Sequence, residues 1–357
     1  MASKTPRVPV ALAAGPSRSA IVRVGRPLRL LWRVLRSNPL SLVGFVLVVL
    51  IVVATALVYL APAVIGVHYP LNQPSNALGQ PPSWAHPFGT DPIGIDIYSN
   101  VMAALPVDLS IAFAIAVFAL VFGGLLGLVA GFWDTRRTLG GAVSVVILRI
   151  TDVFLAFPSL ILALAIAVSL GRGVPQVIIA VMLTWWPYYT RLVRGEVLSV
   201  KHRQYVTAAR VAGVSETRIL FRHVVRNVIE PVVVYFTMDI GTVIVTFSTV
   251  VFVIPNVISF PSTNTSEWGV MIQNYQDSFS ALPWTVLAPG LAIFLTVLSF
   301  SLLGDGLRDV LDPRTRRAML ETRRLEPAAP VEKAEEAESA GPAAPVPGTV
   351  PDVTGPS

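Results

Sequence analysis

A single acidic residue, Asp239, lies near the middle of a long apolar stretch, with threonine hydroxyls nearby at Thr242 and Thr246. A charge at the centre of a bilayer costs roughly 2.5 to 3.5 kcal/mol, so this carboxylate is expected to face protein or water. Two interpretations stay open. Asp239 is either a protonated or hydrogen-bonded packing residue, or it lines a polar path with Thr242 and Thr246 and contacts a cation or polar group that passes along it.

Two further acids, Asp91 and Asp96, stand in the glycine-containing stretch GTDPIGID at residues 89–96. Aspartate side chains in such turns bond nearby backbone amides, so we predict that both acids cap backbone amides near the top of the second apolar segment. The alternative is a functional surface, at a gate or a partner contact. Trp268 of the SEWG stretch, at residues 266–269, is assigned to the same surface.

Several kinds of chemistry are excluded by what the sequence lacks. It contains no cysteine, which removes disulfides, thiol nucleophiles and Cys-ligated metals. The four histidines have no plausible cluster of further ligands, so we expect no metal site. No G-x-x-x-x-G-K-S/T phosphate loop occurs, so the chain is not itself an ATPase, and we expect it to bind no cofactor. An intramembrane hydrolase is disfavoured because the apolar stretches hold one deep acid and no histidine.

A charged, helix-patterned stretch runs from Gln204 to Pro231 and reads QYVTAARVAGVSETRILFRHVVRNVIEP. Its small residues fall on one helical face, Gly213 suits a left-handed C-terminal cap, and Ser215 suits the N-cap of a second helix. We predict a helical hairpin whose small-residue face docks into a groove of another protein. The alternative is a hairpin that only links two apolar segments. The residues assigned to docking are Tyr205, Thr207, Ala208, Ala209, Gly213, Ser215, Glu216 and Arg218.

The elements that must position these residues are apolar helices. The chain is 54% hydrophobic and 13% charged, with a mean hydropathy of +0.67, which is too apolar for an ordinary soluble domain. A helix needs about 20 apolar residues to cross a bilayer. Six windows reach that length and predict an all-α membrane protein with six transmembrane helices: about 39 to 63, 107 to 132, 143 to 170, 174 to 193, 228 to 254 and 284 to 304.

The distribution of cations predicts the orientation of these spans, since Lys and Arg are held on the cytoplasmic side. With six spans, every one of the 27 lysines and arginines except Arg172 falls on one side. Both termini and the charged hairpin are therefore predicted to be cytoplasmic, and the loops at 64–106 and 255–283 to face outward. The pI near 9.9 follows from this topology and from attraction to anionic lipid, so no nucleic acid partner is implied.

The chain divides by composition into a series of segments. Residues 1–38 are basic and contain an amphipathic pattern typical of an interfacial helix. Residues 326–357 are rich in Pro, Ala and Glu and are predicted to be disordered. The other boundaries are 39–63 for the first span, 64–106 for the outward loop, 107–306 for the membrane core with the hairpin at 194–227, and 307–325 for a cytoplasmic end.

Several stretches resemble the integral membrane permeases of ABC importers. TAARVAG followed by SETRILFRHVVRN is similar to their EAA loop, with Ala208, Ala209 and Gly213 at matching positions. Thr207 stands where that loop usually has Glu. Four more stretches are similar to the C-type subunit of the dipeptide and oligopeptide permeases: HPFGTDPIGIDIYSNVM, RITDVFLAFPSLILALAI, SEWG and LLGDGLRDVLDPR. The resemblance covers about residues 30 to 317.

The resemblance implies a type I ABC importer permease fold in the cell membrane, with the hairpin as the coupling helix that enters a cleft of an ATPase. The implied partners are a second homologous permease, two ATPase subunits that hold ATP and Mg, and an extracytoplasmic substrate-binding protein. The implied function is import of di- or oligopeptides by alternating access, with oligosaccharides or metal chelates as alternative cargo. A proton-coupled secondary transporter with Asp239 as the carrier is a weaker alternative, because no inverted repeat or broken helix is evident.

Overall fold

The computed structural model describes residues 39–134, 139–171, 173–254 and 266–311, and helices account for most of that part of the chain. The described ranges contain no strand beyond one isolated bridge between Thr90 and Asp96. A π-helical turn, Leu220–Val224, joins two of the helices without a break. In chain order the helices are α1 (Pro39–Leu60), α2 (Ile97–Phe132), α3 (Leu139–Ala156), α4 (Ser159–Leu170), α5 (Val174–Lys201), α6 (Gln204–Val211), α7 (Glu216–Ile219), α8 (Val225–Val253), α9 (Trp268–Tyr275) and α10 (Trp284–Leu311).

Several predicted segments lie outside the described residues. These are the interfacial segment 1–38, the tail 326–357 and most of the cytoplasmic end 307–325. Arg172 and residues 255–265 of the second outward loop also fall outside. What the sequence predicts for them stays a prediction.

Five helices in the described ranges are long and apolar enough to cross a membrane. They are Pro39–Leu60, Ile97–Phe132, Leu139–Ala156, Glu216–Val253 and Trp284–Asp309. Helix α5 is 28 residues long but is not among the five. The all-helical, multi-pass membrane architecture is confirmed, whereas the count of six spans stays a prediction.

Two predicted spans differ from the helices that contain them. The span predicted at 143 to 170 is two helices, because α3 ends at Ala156 and α4 begins at Ser159. Pro158 explains the break, since it lacks an amide donor and restricts the backbone of Phe157 before it. The helix of the second predicted span begins earlier than residue 107, at Ile97.

Helices α2 and α5 pack closely because glycines line the contact. Gly123, Gly127 and Gly131 recur along one face of α2, and small residues at this spacing let two helix backbones approach. A Cβ atom on Gly127 would lie 2.7 Å from the Thr190 carbonyl oxygen, so this approach requires glycine. The Thr190 hydroxyl also donates to the Gly123 carbonyl oxygen at 3.0 Å. The contact fixes the register of α5 against α2.

Two clusters of buried apolar residues lie at opposite ends of α2. The first joins the N-terminal half of α2 to α5, α8 and α9. The second, which we call the hairpin core, joins the end of α2 to α5, the hairpin and the start of α8. Its members are Phe132, Val193, Val197, Val200, Val206, Ile219, Leu220, Val224, Val228 and Val232.

The two segments predicted to face outward contact each other near the start of α2. The Tyr275 hydroxyl donates to Asp91 at 3.1 Å, and the Trp284 indole donates to the Thr90 carbonyl oxygen at 3.0 Å. Burial and the neighbouring Asp91 carboxylate raise the pKa of Tyr275, so its hydroxyl stays protonated and remains a donor. Residues 61–96 therefore form an ordered layer over this end of the helices, which we call the cap.

Candidate functional site

The predicted docking hairpin is two helices joined at a left-handed glycine. Gly213 follows α6 with a φ of 76°, a conformation that residues with a Cβ rarely adopt. The Val214 amide donates to the Ala209 carbonyl oxygen at 3.1 Å, which satisfies a carbonyl at the end of α6. Ser215 occupies the N-cap position of α7, but its side chain makes no capping bond. The predicted C-terminal cap at Gly213 is confirmed. Ser215 stands at the predicted N-cap position, but its side chain does not cap the helix.

One side of the hairpin is buried and the other is open. Val206 of α6 and Ile219 of α7 are fully buried in the hairpin core. Arg210 and Glu216 form an ion pair across the turn at 2.9 Å. Among the residues assigned to docking, Ala209 is half-buried, and the exposed ones are Tyr205, Thr207, Ala208, Gly213, Ser215, Glu216 and Arg218. The small-residue face of α6 is thus free for a partner within the described part of the chain.

A buried lysine that sequence reasoning missed fixes the base of the hairpin. Lys201, the last residue of α5, donates from Nζ to the Gly131 carbonyl oxygen at 3.0 Å and pairs with Asp134. An ammonium group out of water needs such partners, because an unpaired buried charge is strongly destabilising. Its burial could have been predicted from the sequence, because Lys201 lies four residues after Val197 and so falls on the same buried face of α5. The end of α5 is thereby fastened to the end of α2.

Asp239 is buried, and its carboxylate faces α5. Its Oδ2 atom accepts hydrogen bonds from the Trp185 indole and the Tyr189 hydroxyl, each at 2.9 Å. The Tyr189 ring also packs edge-on against Tyr235, with 5.2 Å between centroids. These contacts hold the carboxylate between α5 and α8 in an aromatic environment. They supply the donors that a buried acid requires.

The two assigned threonines make no hydrogen bond to this carboxylate among the described residues. Thr242 is exposed, and the Thr246 hydroxyl donates to the Thr242 carbonyl oxygen at 2.9 Å, within α8. Sequence reasoning passed over the two donors on α5. Trp185 and Tyr189 could have been identified from the sequence, because side chains four residues apart share a helix face. An indole and a phenol also both carry hydrogen-bond donors suited to an apolar environment.

Asp91 and Asp96 accept hydrogen bonds from backbone amides, as the sequence predicts. The Asp91 Oδ1 atom accepts from the Ile95 amide at 2.7 Å. Asp96 is the N-cap of α2, where its Oδ2 atom accepts from the Ser99 amide at 2.8 Å and its Oδ1 atom bonds His86 Nδ1 at 3.0 Å. The predicted capping is confirmed. A role of either acid at a gate stays a prediction.

Trp268, which the sequence assigns to the same surface, is buried. The residue is 1% exposed, and its indole donates to the Val101 carbonyl oxygen at 3.0 Å. Its amide donates to Asp108 at 3.1 Å. In this structure Trp268 anchors α9 to α2, and its role at a gate stays a prediction.

A cavity of about 730 Å³ lies within the cap. Trp84 at its edge is fully exposed. No group of three or more His, Asp or Glu that could hold a metal occurs in the described ranges. The cavity instead has aromatic and imidazole walls with one carboxylate, supplied by His68, Tyr69, Trp84, His86, Asp96 and Tyr98.

Two family models match the chain. Residues 123–317 match the binding-protein-dependent transport system inner membrane component. Residues 26–82 match the N-terminal TM domain of oligopeptide transport permease C. The first match contains the hairpin and most of the membrane core, and the second contains α1.

Individual relatives extend the similarity over most of the chain. The dipeptide transport system permease protein DppC of Alkalihalophilus pseudofirmus is 35% identical over 290 residues, which cover 81% of this chain and 91% of the relative. The glutathione transport system permease protein GsiD of Pectobacterium atrosepticum is 35% identical over 294 residues, covering 82% and 93%. GsiD of Escherichia coli O157:H7 is 36% identical over 303 residues, with the same coverage. Together with the helical architecture and the hairpin, the similarity to these family models and relatives shows where the chain belongs. It is a member of the binding-protein-dependent ABC importer permeases, in the dipeptide and oligopeptide group.

Proposed function

We propose that this chain is one membrane-spanning subunit of an ATP-driven importer and that it forms half of a translocation path for di- or oligopeptides. The main support for this proposal is the structure of the hairpin. Its small-residue face is open, while its other face is built into the hairpin core with α2, α5 and α8. A displacement of the hairpin therefore acts on three helices of the membrane core at once.

The energy for transport comes from partner subunits, since the chain has no phosphate loop. The proposed assembly contains a second homologous permease, two ATPase subunits that bind ATP and Mg, and an extracytoplasmic substrate-binding protein. The ATPases receive the hairpin in the cytoplasm, where both termini also lie. The binding protein contacts the cap and the 255–283 loop.

Alternating access is the proposed mechanism, and the packing suggests how it proceeds. Closure of the ATPases moves the docked hairpin, and the hairpin core transmits this displacement to α2, α5 and α8. The contacts of Lys201 keep the ends of α5 and α2 together during the movement. The path then opens to one side of the membrane at a time.

The substrate proposal is supported by relatives that are named for dipeptide and glutathione transport. Oligosaccharides and metal chelates are the alternative cargo for the same architecture. Mass spectrometry of the ligand that copurifies with the substrate-binding protein distinguishes the three. Uptake that an uncoupler abolishes at constant ATP would instead favour a proton-coupled transporter.

The coupling role is tested by a large side chain on the docking face. Ala208 is exposed, so Ala208→Trp is expected to fold and insert normally. Its ring blocks the approach of the ATPase groove, and a loss of about 1.4 kcal/mol at that contact corresponds to roughly tenfold weaker docking. We therefore expect ATP-driven uptake into proteoliposomes to fall by about tenfold or more at limiting ATPase concentration.

Val52→Trp is the matched control, because Val52 is also exposed but lies in α1, to which no partner contact is assigned. It is expected to insert and to dock the ATPase as the unmodified protein does. Uptake and ATP hydrolysis are measured on the same vesicles. Full uptake by the Ala208 variant at normal protein levels would refute the coupling role of the hairpin.

A further inference from the structure

Two carboxyl groups, those of Asp108 and Glu267, lie side by side in the interior near the cap. Asp108 is 2% exposed and Glu267 is 3% exposed. Asp108 belongs to α2, and Glu267 is the N-cap of α9. The transport mechanism proposed above uses neither of them.

Protein donors satisfy all but one oxygen atom of this pair. The Oε2 atom of Glu267 accepts from the Val270 amide at 2.6 Å, and its Oε1 atom accepts from the Ser248 hydroxyl at 3.1 Å. The Oδ2 atom of Asp108 accepts from the Trp268 amide at 3.1 Å. The Oδ1 atom of Asp108 is buried and has no donor among the described residues. The Trp268 amide that bonds Asp108 belongs to the residue directly after Glu267, so the two carboxyl groups are close neighbours and interact with each other.

Such a contact requires a proton on the pair. Ionised carboxyl oxygens only accept hydrogen bonds, so two carboxylates cannot bond each other. Two adjacent negative charges out of water also repel strongly. A single proton held between the two groups removes the repulsion and supplies the missing donor.

No cation on the neighbouring helices can take the place of this proton. The sequence has no Lys or Arg between Arg36 and Arg136, a range that includes all of α2. It has none between Arg226 and Arg308, a range that includes α9 and nearly all of α8 and α10. Arg172, the single cation that the predicted topology places on the outward side, lies outside the described residues.

The other ionisable groups on the helices packed around the pair are chiefly acids and tyrosines. Helix α10 carries Asp305, Arg308 and Asp309 only at its opposite end, and Arg226 and Glu230 lie at the hairpin end of α8. Burial, nearby backbone amides and the Ser248 hydroxyl act on the two carboxyl groups, together with the interaction of the pair with each other. The remaining members are Asp96, Tyr98, Tyr235, Asp239 and Tyr275.

We propose that Asp108 and Glu267 share one proton and that this proton fastens α9 to α2, so that the two helices separate when it is lost. The pair, which we call the carboxyl latch, lies beside the Trp268 anchor between the same helices. Opening it frees the start of α9 from the membrane core. Closure of the carboxyl latch requires neither a substrate nor an ATPase.

The direction of the pH effect follows from linkage. Burial raises the pKa of Glu267 above its usual range, against the amide and hydroxyl hydrogen bonds that lower it. A carboxyl group whose pKa is raised in the closed arrangement stabilises that arrangement fully below its ordinary pKa. This stabilisation is lost as pH rises through the raised value. Acidic medium therefore keeps the carboxyl latch closed, and alkaline medium opens it.

Ser266 provides a reporter of the carboxyl latch. It precedes Glu267, is 3% exposed, and differs from cysteine by one atom. Because the chain contains no cysteine, Ser266→Cys introduces the sole thiol. The full-length chain in lipid nanodiscs is treated with a small methanethiosulfonate reagent between about pH 5 and pH 9. Each rate is divided by that of Ser280→Cys, an exposed reference, to remove the intrinsic pH dependence of the thiol.

With the native pair, the normalised rate is expected to rise with pH by up to about tenfold per pH unit, as loss of one proton predicts. Asp108→Asn replaces the shared proton with an amide donor and keeps one negative charge. In that background the normalised rate is expected to stay low and flat. Glu267→Gln places the amide donor on the other member of the pair. It is used in the same measurement if Asp108→Asn folds poorly.

Four results would overturn the proposal. The first is a flat rate with the native pair, and the second is an equal rise with pH in the Asp108→Asn background. The third is a rate that responds to a chelator or to added Ca²⁺ at constant pH, because the pair would then hold a metal ion. The fourth is a profile that shifts in Arg172→Gln, because the neutralising charge would then belong to that arginine; we expect this variant to leave the profile unchanged. Failure of this test leaves the proposed transport function intact.

Discussion

At the scale of single residues, Asp239 shows how an acid is accommodated in an apolar helix. Trp185 and Tyr189 donate to the same oxygen, and both belong to one face of α5. A carboxylate with two such donors rigidifies the contact between α5 and α8. It would also offer a fixed negative group to a substrate, so packing and path lining are compatible with the same geometry.

Asp239→Asn and Asp239→Ala separate these two roles. The Asn carbonyl oxygen still accepts from the indole and the phenol, so this variant is expected to unfold thermally close to the unmodified protein. Ala leaves both donors unpaired, which costs about 1 to 3 kcal/mol of stability. A path-lining role predicts that Asp239→Asn loses uptake although it is stable. Unchanged uptake by Asp239→Asn at normal protein levels would leave packing as its role.

At the scale of elements, the close contact between α2 and α5 sets where the functional side chains lie. Helix α5 carries the donors to Asp239 in its middle and Lys201 at its end, beside the hairpin. The glycine face of α2 fixes this helix in register, because a Cβ atom there would meet the backbone of α5. Loosening the contact is therefore expected to disturb both sites together.

Two equivalent substitutions on α2 test this contact. A Cβ atom on Gly127 would lie 2.7 Å from the Thr190 carbonyl oxygen, whereas one on Gly124 would meet only Val193 Cγ2 at 3.9 Å. Gly127→Ala is expected to cost about 1 to 3 kcal/mol through overpacking. Gly124→Ala is the control and is expected to stay within about 0.5 kcal/mol. Thermal unfolding of the detergent-solubilised chain measures both, and equal stabilities would show that the contact is not tight.

At the scale of the whole molecule, charge and apolar length organise the chain between two aqueous faces. The hairpin core and the cap lie at opposite ends of α2. All cations other than Arg172 fall on the hairpin side of the predicted topology. The hairpin is therefore expected in the cytoplasm and the cap outside.

The absence of cysteine makes this orientation directly measurable in intact cells. Ser280→Cys lies in the outward segment and Ser215→Cys in the hairpin, and both positions are exposed. A membrane-impermeant thiol reagent is expected to label the first and to label the second only after the membrane is opened. Labelling of Ser215→Cys in sealed cells would reverse the predicted orientation.

Neighbouring residues along the chain were enough to predict the apolar helices, the left-handed turn at Gly213 and the capping by Asp91 and Asp96. These features depend on local backbone geometry and on the length of apolar runs. The helix break at Pro158 is also a local feature. The prediction missed it because the mean hydropathy of a long window averages over a single residue.

Only the tertiary structure brought together groups that are remote along the chain. Asp239 and Trp185 are 54 residues apart, and Asp108 and Trp268 are 160 apart. The sequence by itself determined that this chain is a helical membrane protein and where its charged hairpin lies. Tertiary packing decided which partners satisfy its buried charges, because helical periodicity identifies the face that is buried and not the neighbour that covers it.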